Sequence, residues 1–246
     1  MNKAKAALPR LYCIVDRETL DARAMSVGVF ARELRDAGAR LLQYRDKVSG
    51  PQEVLRVAAE ISAVFAGMEA TLIMNDRADL AVLAGWGGVH VGQGDLLPGD
   101  AKRVLGAGDR AAAEKIRGSL HSAVAKSATA PVEMTDLGGA KVLVGVSTHT
   151  EEQVRVADAS VADCVAVGPV FGTSTKLDAE PVVGLEGVRR ARALTEKPLV
   201  AIGGITLQNV RSVVDAGADS VAVIGGLFVE GRTVGEVVRD FLEILR

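Results

Sequence analysis

The feature that most constrains the fold is a rhythm of short apolar stretches, each followed by polar or glycine residues and then by a segment with helical spacing. This rhythm occurs eight times along the 246 residues, and it predicts a single α/β domain over 1–246, a (β/α)8 TIM barrel. Strands are predicted at 11–15, 40–45, 71–74, 88–91, 141–146, 163–167, 198–202 and 219–224. Helices are predicted at 27–37, 51–66, 78–84, 100–105, 151–159, 185–194, 207–216 and 233–245. A doubly wound open sheet is the alternative, but only in a barrel do the loops after all the strands meet on one face.

The run 106–140 interrupts this rhythm. Ile116, Leu120 and Val124 recur every four residues, which indicates an extra amphipathic helix, and 129–139 has the pattern of an irregular connection. We interpret the run as an insertion between the fourth helix and the fifth strand. A connection from a helix to the next strand lies at the bottom of a barrel, so we expect the insertion to affect stability or assembly only.

Composition and charge exclude several classes of function. A net charge of -2 provides no basic field for nucleic acid or an anionic membrane. No apolar run reaches the roughly 18 residues that a bilayer requires, and the first residues lack the apolar part of a signal peptide, so a cytoplasmic location is expected. Cys13 and Cys164 lie in apolar strand-like stretches and are interpreted as buried thiols, not as a disulfide or a metal site.

A donor-rich strand end lies at 41–47. Side chains alternate between the faces of a strand, so Gln43, Arg45 and Lys47 are expected on one face. Tyr44 and Asp46 are expected on the other face. An amide, a guanidinium and an ammonium group together suit phosphate oxygens. A strand end with solvated charges is the alternative, and this stretch alone does not decide between the two.

Carboxylates follow the next two strands. Asn75 and Asp76 come directly after the predicted third strand, and Asp95 follows the fourth. Two protein carboxylates completed by phosphate oxygens of a substrate form a usual Mg²⁺ site, because Mg²⁺ seldom takes an all-protein cage. Both aspartates also precede predicted helices, so N-caps are the alternative, which the positions alone favour.

Two further features suit phosphate binding. The loop 168–176 carries the hydroxyls of Thr173, Ser174 and Thr175 and the ammonium group of Lys176. Glycine pairs at 203–204 and 225–226 follow the seventh and eighth strands, where barrels commonly bind phosphate. A solvated loop is the alternative for 168–176, although loops of this length in compact barrels are often functional.

The three histidines are less informative. His90 lies within a predicted strand and is interpreted as a packed core residue. His121 falls in the insertion and is expected to be exposed. His149 follows the fifth strand, where it is expected either to touch a substrate or to cap the next helix.

Six motifs, in this order, resemble the thiamine-phosphate synthase family along nearly the whole chain. They are Gln-Tyr-Arg-Asp-Lys at 43–47, Asn-Asp-Arg at 75–77, the stretch 88–95, Gly-Val-Ser at 145–147, the loop 168–176 and Ala-Ile-Gly-Gly-Ile at 201–205. The resemblance implies a transferase that joins 4-amino-2-methyl-5-hydroxymethylpyrimidine diphosphate to 4-methyl-5-(2-phosphoethyl)thiazole and releases pyrophosphate. In this family loss of the leaving group comes first, and the thiazole nitrogen then captures a pyrimidinylmethyl cation.

The resemblance also implies residue roles. Asp76 and Asp95 would hold Mg²⁺. The pyrimidine diphosphate would be contacted by Gln43, Arg45, Lys47, Asn75, Ser147 and Lys176, of which Arg45, Lys47, Ser147 and Lys176 form the catalytic set. The thiazole phosphate would be held by Thr173, Thr175, Gly204, Ile224 and Gly225, and Tyr44, Asp46 and Ser174 complete the substrate-binding residues. The expected partners are these two small molecules, with a homo-oligomer possible and with no nucleic acid or membrane.

The chain departs from the family pattern at two places, and three other functions are alternatives to the synthase. Gly225 stands where the family often has Ser, and the insertion is unusual. A related thiazole tautomerase is the first rival, but Gln43, Asp95 and Pro169 all resemble the synthase rather than the isomerase. A non-catalytic barrel that binds a phosphate ligand is the second rival. A sugar-phosphate isomerase or epimerase is the third, and the required pair of acid–base carboxylates or histidine metal set is not found in the sequence.

Overall fold

The computed structural model describes residues 8–107, 142–173 and 181–246. Eight parallel strands, hydrogen-bonded in sequence order, close into a barrel in which β1 also pairs with β8. The strands are β1 Leu11–Asp16, β2 Leu41–Arg45, β3 Thr71–Asn75, β4 Gly88–Val91, β5 Leu143–Thr148, β6 Cys164–Val167, β7 Leu199–Ile202 and β8 Ser220–Val223. The predicted (β/α)8 barrel is therefore confirmed, and the open sheet is excluded.

Helices cover the outside of the barrel. In the described ranges they are α1 Arg17–Asp21, α2 Val27–Ala37, α3 Pro51–Val64, α4 Ala78–Ala84, α5 Pro98–Ala107, α6 Glu151–Ala159, α7 Gly184–Leu194, α8 Val210–Asp215 and α9 Val234–Ile244, with a 3₁₀ turn at Gly225–Leu227. The short helix α1 was not predicted. It forms because the Asp16 carboxylate accepts a hydrogen bond from the Thr19 backbone N–H at 2.9 Å and caps the first turn.

One strand boundary also differs from the prediction. Strand β5 extends through Ser147 and Thr148, which were expected in the following loop. Thr148 is fully buried, and its hydroxyl donates to the Ala166 carbonyl at 2.8 Å, so a polar side chain is satisfied inside the sheet. The next helix, α6, is capped by Thr150 in a reciprocal bond with Gln153 rather than by His149.

Alternation along the strands divides the apolar residues into two cores. The larger core lies between the strands and the helices and includes Phe30, Leu34 and Phe241. The smaller core fills the barrel interior, and its buried members are Tyr12, Ile14, Leu41, Ile73, Cys164, Ala166, Val200 and Ala222. Side chains alternate between the two faces of a strand, so polar residues two positions away from these apolar residues also face the interior. The inner core therefore forms the floor beneath the strands' C-terminal ends.

The two cysteines are buried and unpaired, as predicted. Burial raises the pKa of both Cys13 and Cys164 to about 12, which keeps the thiols neutral. Across the described residues, no helix is long and apolar enough to cross a membrane. Most of the predicted insertion, including His121, lies outside the described residues, as do Ser174, Thr175 and Lys176.

Candidate active site

A cavity of ≈ 440 Å³, measured to include its open mouth, lies inside the barrel at the C-terminal ends of the strands. One wall is polar and comes from β1 to β5: Tyr12, Gln43, Arg45, Asn75, His90 and Ser147. The other wall is apolar and comes from β1 and from β6 to the end of β8: Ile14, Ala166, Val200, Ile202, Ala222 and Ile224. The cavity therefore suits a ligand with one polar and one apolar side.

The floor of the polar wall is held by two side-chain hydrogen bonds. The Gln43 amide Nε2 donates to the Tyr12 hydroxyl at 2.9 Å, and both residues are buried. Burial raises the pKa of Tyr12 well above its ordinary value, so the hydroxyl stays neutral. His90 Nε2 lies 3.0 Å from Ser147 Oγ. These bonds fix the positions of the amide and the hydroxyl that face the cavity.

His90 is buried, as predicted for a core residue, but it also lines the cavity. The facing strand makes room for its ring, since a Cβ built on Gly145 would lie 2.4 Å from His90 Nδ1. The third histidine of the chain, His149, bonds the Gly168 carbonyl through Nδ1 at 2.6 Å. His149 thus ties the end of β5 to the loop after β6, and it is not the helix cap.

The strand end 41–47 divides between two faces as predicted. Gln43 and Arg45 line the cavity, and Lys47 lies just beyond the strand. Tyr44 packs in the outer core, and its hydroxyl donates to Asp46 Oδ2 at 2.7 Å. Asp46 Oδ1 accepts from the backbone N–H groups of Val48 at 3.0 Å and Ser49 at 2.8 Å. The structure does not bring Tyr44 or Asp46 to the cavity; they hold the loop that carries Lys47.

In the described part of the rim, Arg45 and Lys47 are each paired with a carboxylate. Arg45 Nη1 lies 2.5 Å from Asp16 Oδ2 and 3.3 Å from Glu18 Oε2. The Lys47 ammonium group forms an ion pair with Asp76 Oδ2. These pairs hold positive charge at the mouth of the cavity without leaving a buried charge uncompensated.

Asp76 and Asp95 meet at this rim. Their carboxyl groups lie within hydrogen-bonding reach of each other, and Asp95 Oδ2 also accepts from the Gly92 N–H at 2.9 Å. Burial raises the pKa of Asp76, contact with Asp95 raises it further, and the hydrogen bond from Lys47 opposes both effects. The proposed N-cap role of Asp76 is wrong, because Arg77 precedes α4 and no side chain caps that helix.

The backbone at Asp76 is unusual. Its φ of 59° places it in the left-handed region, which aspartate and asparagine tolerate better than other residues with a Cβ. The Asp76 N–H donates to the His90 carbonyl at 2.7 Å, so the turn is tied to the end of β4. This conformation turns the chain sharply at the end of β3.

The glycine pair after β7 has a packing role. Gly203 and Gly204 have φ of 102° and 62°, and a Cβ on Gly204 would lie 2.6 Å from the Gly172 carbonyl. The N–H of Phe171 donates to the Gly203 carbonyl at 3.0 Å, which holds the β6 loop against β7. The close packing itself requires glycine here.

Some residues around the site were not singled out from the sequence as functional. Tyr12 and Asp16 lie on β1 and hold Gln43 and Arg45, while Gln93 donates through Nε2 to the Ser147 carbonyl at 2.5 Å. The available signal was period two, which places Tyr12 and Asp16 on the interior face of β1. Their partners depend on the alignment of β1 with β2, which one strand's sequence does not contain.

Comparisons with known proteins agree with the geometry. The thiamine monophosphate synthase family model matches residues 11–113 and 119–227. A thiamine-phosphate synthase from Koribacter versatilis is 43% identical over 240 residues, which is 97% of this chain and 96% of the relative. Another from Methanoregula boonei is 36% identical over 233 residues, 95% of this chain and 91% of the relative. The solved thiamine phosphate pyrophosphorylase from Pyrococcus furiosus superposes with a TM-score of 0.72 at 26% identity, covering 96% of this chain and 95% of that one. The chain therefore belongs to the thiamine monophosphate synthase family.

Proposed function

We propose that the cavity joins 4-amino-2-methyl-5-hydroxymethylpyrimidine diphosphate to 4-methyl-5-(2-phosphoethyl)thiazole, giving thiamine phosphate and pyrophosphate. The observation that carries this proposal is the meeting of Arg45, Lys47, Asp76 and Asp95 at one sector of the rim, above a half-polar cavity. The cations and the carboxylate pair, with its metal ion, would bind the diphosphate leaving group. The cavity would bind the heterocycle that the leaving group departs from.

The leaving group gains negative charge as its bond to carbon breaks, so cations held near it lower the barrier. Arg45 and Lys47 are already ordered by carboxylates at the rim, which reduces the cost of positioning them during the reaction. Ser147 presents a hydroxyl oriented by His90, and Gln93 holds the Ser147 backbone. By family resemblance, Lys176 joins this set from the loop after β6.

Asp76 and Asp95 are the residues that would hold Mg²⁺. Burial is the main cause of the raised pKa of Asp76, and the adjacent Asp95 carboxylate adds to it, so a divalent ion between the two carboxylates would favour their charged forms. Among the described residues no cluster of three or more His, Cys, Asp or Glu side chains is placed to hold a metal. A pair of carboxylates completed by water and diphosphate oxygens fits Mg²⁺. When bound, Mg²⁺ would neutralise charge on the departing pyrophosphate.

No general base is required in this mechanism, because the nucleophile is a neutral ring nitrogen. The apolar wall formed by Ala166, Val200 and Ala222 would exclude water from the pyrimidinylmethyl cation and so protect it from hydrolysis. Thr173 and the backbone at Gly204, Ile224 and Gly225, together with Thr175, are proposed to hold the thiazole phosphate. Gly225 offers no hydroxyl there, so the backbone donors carry more of the binding.

One assay tests the proposed function. The protein is mixed with both substrates and Mg²⁺, and thiamine phosphate and pyrophosphate are measured together. Equal yields of the two products support the synthase. Isomerisation of a thiazole phosphate without pyrophosphate release would instead favour the tautomerase. Binding of thiazole phosphate with no turnover would favour a non-catalytic barrel. A cytoplasmic location and a homo-oligomer stay predictions from the sequence.

A further inference from the structure

We propose that Asp16, the last residue of β1, is a positioning residue that fixes the orientation of the Arg45 guanidinium group towards the diphosphate. The proposal rests on the proposed function, in which Arg45 binds the leaving group. Asp16 itself is not expected to touch the substrate, because its two carboxylate oxygens are already used within the protein.

The geometry of the Asp16 carboxylate leaves it little freedom. Asp16 and Arg45 are register partners on adjacent parallel strands. Oδ1 accepts from the Thr19 N–H at 2.9 Å, and Oδ2 accepts from Arg45 Nη1 at 2.5 Å. The Asp16 side chain is only 1% exposed. A buried carboxylate held at both oxygens acts as a fixed point against which the guanidinium group is oriented.

The contact uses one edge of the guanidinium group. Both Asp16 and Glu18 approach Nη1, so neither of these contacts involves Nη2 or Nε. A guanidinium group is planar and can bind phosphate oxygens through two parallel N–H groups. Holding Nη1 therefore restricts the rotation of the guanidinium plane that the remaining edge presents to a diphosphate. The Arg45 side chain is 14% exposed, which is consistent with one buried and one accessible edge.

Glu18 provides a matched control within the molecule. It approaches the same Arg45 nitrogen as Asp16, but its side chain is 52% exposed and lies on the first turn of α1 rather than within the sheet. An exposed carboxylate at 3.3 Å is screened by water and contributes little to orientation. The two acidic residues thus differ in burial while sharing one partner atom.

The test uses Asp16→Asn, Glu18→Gln and Arg45→Met, with inorganic pyrophosphate and Mg²⁺ as the probe in calorimetry and with steady-state kinetics. Asp16→Asn should weaken pyrophosphate binding about tenfold and lower kcat/KM for the pyrimidine diphosphate by about 10- to 100-fold, since small misplacements of a binding group have effects of this size. The KM for the thiazole phosphate should stay within about twofold, as should all constants of Glu18→Gln.

A double-mutant cycle separates positioning from a general structural role. In an Arg45→Met background, Asp16→Asn should cause no further loss of pyrophosphate binding, because Asp16 acts only through Arg45. An equal loss in both backgrounds, or an equal loss in Glu18→Gln, would overturn the proposal.

Asp16→Asn removes the buried carboxylate of the Arg45 ion pair and leaves only the exposed Glu18 beside Nη1, so it is at risk of misfolding. Asp16→Glu keeps the charge but shifts the carboxylate by one methylene group, so it should weaken pyrophosphate binding, and the disturbed cap at Thr19 should lower the melting temperature by only about a few degrees. Wild-type affinity in a folded Asp16→Glu protein would refute the role. Failure of the wild-type protein to form product would count against the proposed function alone, because the pyrophosphate measurements do not depend on turnover.

Discussion

Substitution of Asp76 by Asn or by Ala separates its charge from its backbone conformation. Both changes remove the negative charge of a proposed metal ligand, so both should reduce thiamine phosphate formation at saturating Mg²⁺ by about 100-fold or more, as expected for a group that supports charge in the transition state. The two variants should differ in stability, because only Asn shares the tolerance of Asp for φ near the observed 59°.

The left-handed backbone conformation at Asp76 sets the size of the stability difference between the two variants. A residue such as Ala in the left-handed region costs about 1 kcal/mol more than Asn. For a chain of 246 residues, about 1 kcal/mol corresponds to a change in melting temperature of about 2–4 °C. Asp76→Ala should therefore melt about 2–4 °C below Asp76→Asn, although the two variants lack the same carboxylate.

The charge of the Asp76 carboxylate makes the stability of the protein depend on pH. The pKa of Asp76 is raised above its ordinary value of 3.8 by burial and by Asp95, so the folded protein holds this proton more tightly than the unfolded chain does. Stability must then fall as pH rises from the ordinary Asp pKa through the raised value. Without metal, Asp76→Asn should be more stable than wild type at neutral pH, and this advantage should shrink near pH 3.8.

Thermal melts in EDTA across this pH range, with Asp76→Ala as the control, test both expectations. Equal melting temperatures for the Asn and Ala variants would refute the conformational reasoning. Lower stability of Asp76→Asn than of wild type at neutral pH would refute the electrostatic reasoning, because it would mean that the ion pair with Lys47 outweighs burial and the Asp95 contact.

Three further predictions concern other parts of the barrel. Arg45→Ala should weaken binding of the pyrimidine diphosphate by about 10- to 100-fold, because a hydrogen bond between charged groups is lost. Binding of the thiazole phosphate should change little. Equal losses of affinity for both ligands in calorimetry would contradict the assignment. Gly145→Ala should push the His90 ring away from Ser147, lowering stability by about 1–3 kcal/mol and reducing kcat/KM, and wild-type melts and kinetics would show that the packing is less tight than described. Deletion of 106–140 should leave turnover in a protein that still unfolds cooperatively on heating, and abolished turnover in such a protein would show that the insertion serves the chemistry.

The sequence predicted those parts of the site that depend on one strand at a time. Period two placed Gln43 and Arg45 on the cavity face, and the position of Asp76 after an apolar stretch marked the rim of the barrel. It did not predict the contacts between strands, because these depend on register. Asp16 meets Arg45, and His90 meets Ser147, only when neighbouring strands are aligned.

The role of His90 and the start of helix α1 also depend on neighbouring elements, which one segment of sequence does not reveal. A histidine in an apolar strand is usually a packed residue, and His90 is indeed buried; its place in the cavity wall depends on Gly145 of the adjacent strand leaving room for the ring. Helix α1 was missed because it is short and begins at a residue that also ends a strand. Its signal, an aspartate three residues before Thr19, becomes informative only when the strand end is known.

The ion pairs of Arg45 and Lys47, the rim cations among the described residues, affect how a diphosphate would bind. If Lys47 leaves Asp76 to turn fully to a diphosphate, Asp76 and Asp95 are left as adjacent anions unless another cation takes its place. Under the proposed function, the arrival of a diphosphate together with a divalent ion satisfies both requirements at once, whereas either alone satisfies one. Arg45 differs, because Asp16 holds one edge of its guanidinium group and leaves the other edge available, so it can bind the diphosphate without exchanging partners. Under the proposed function, Arg45 would therefore bind the diphosphate from a fixed position, whereas release of Lys47 from Asp76 would be linked to metal binding.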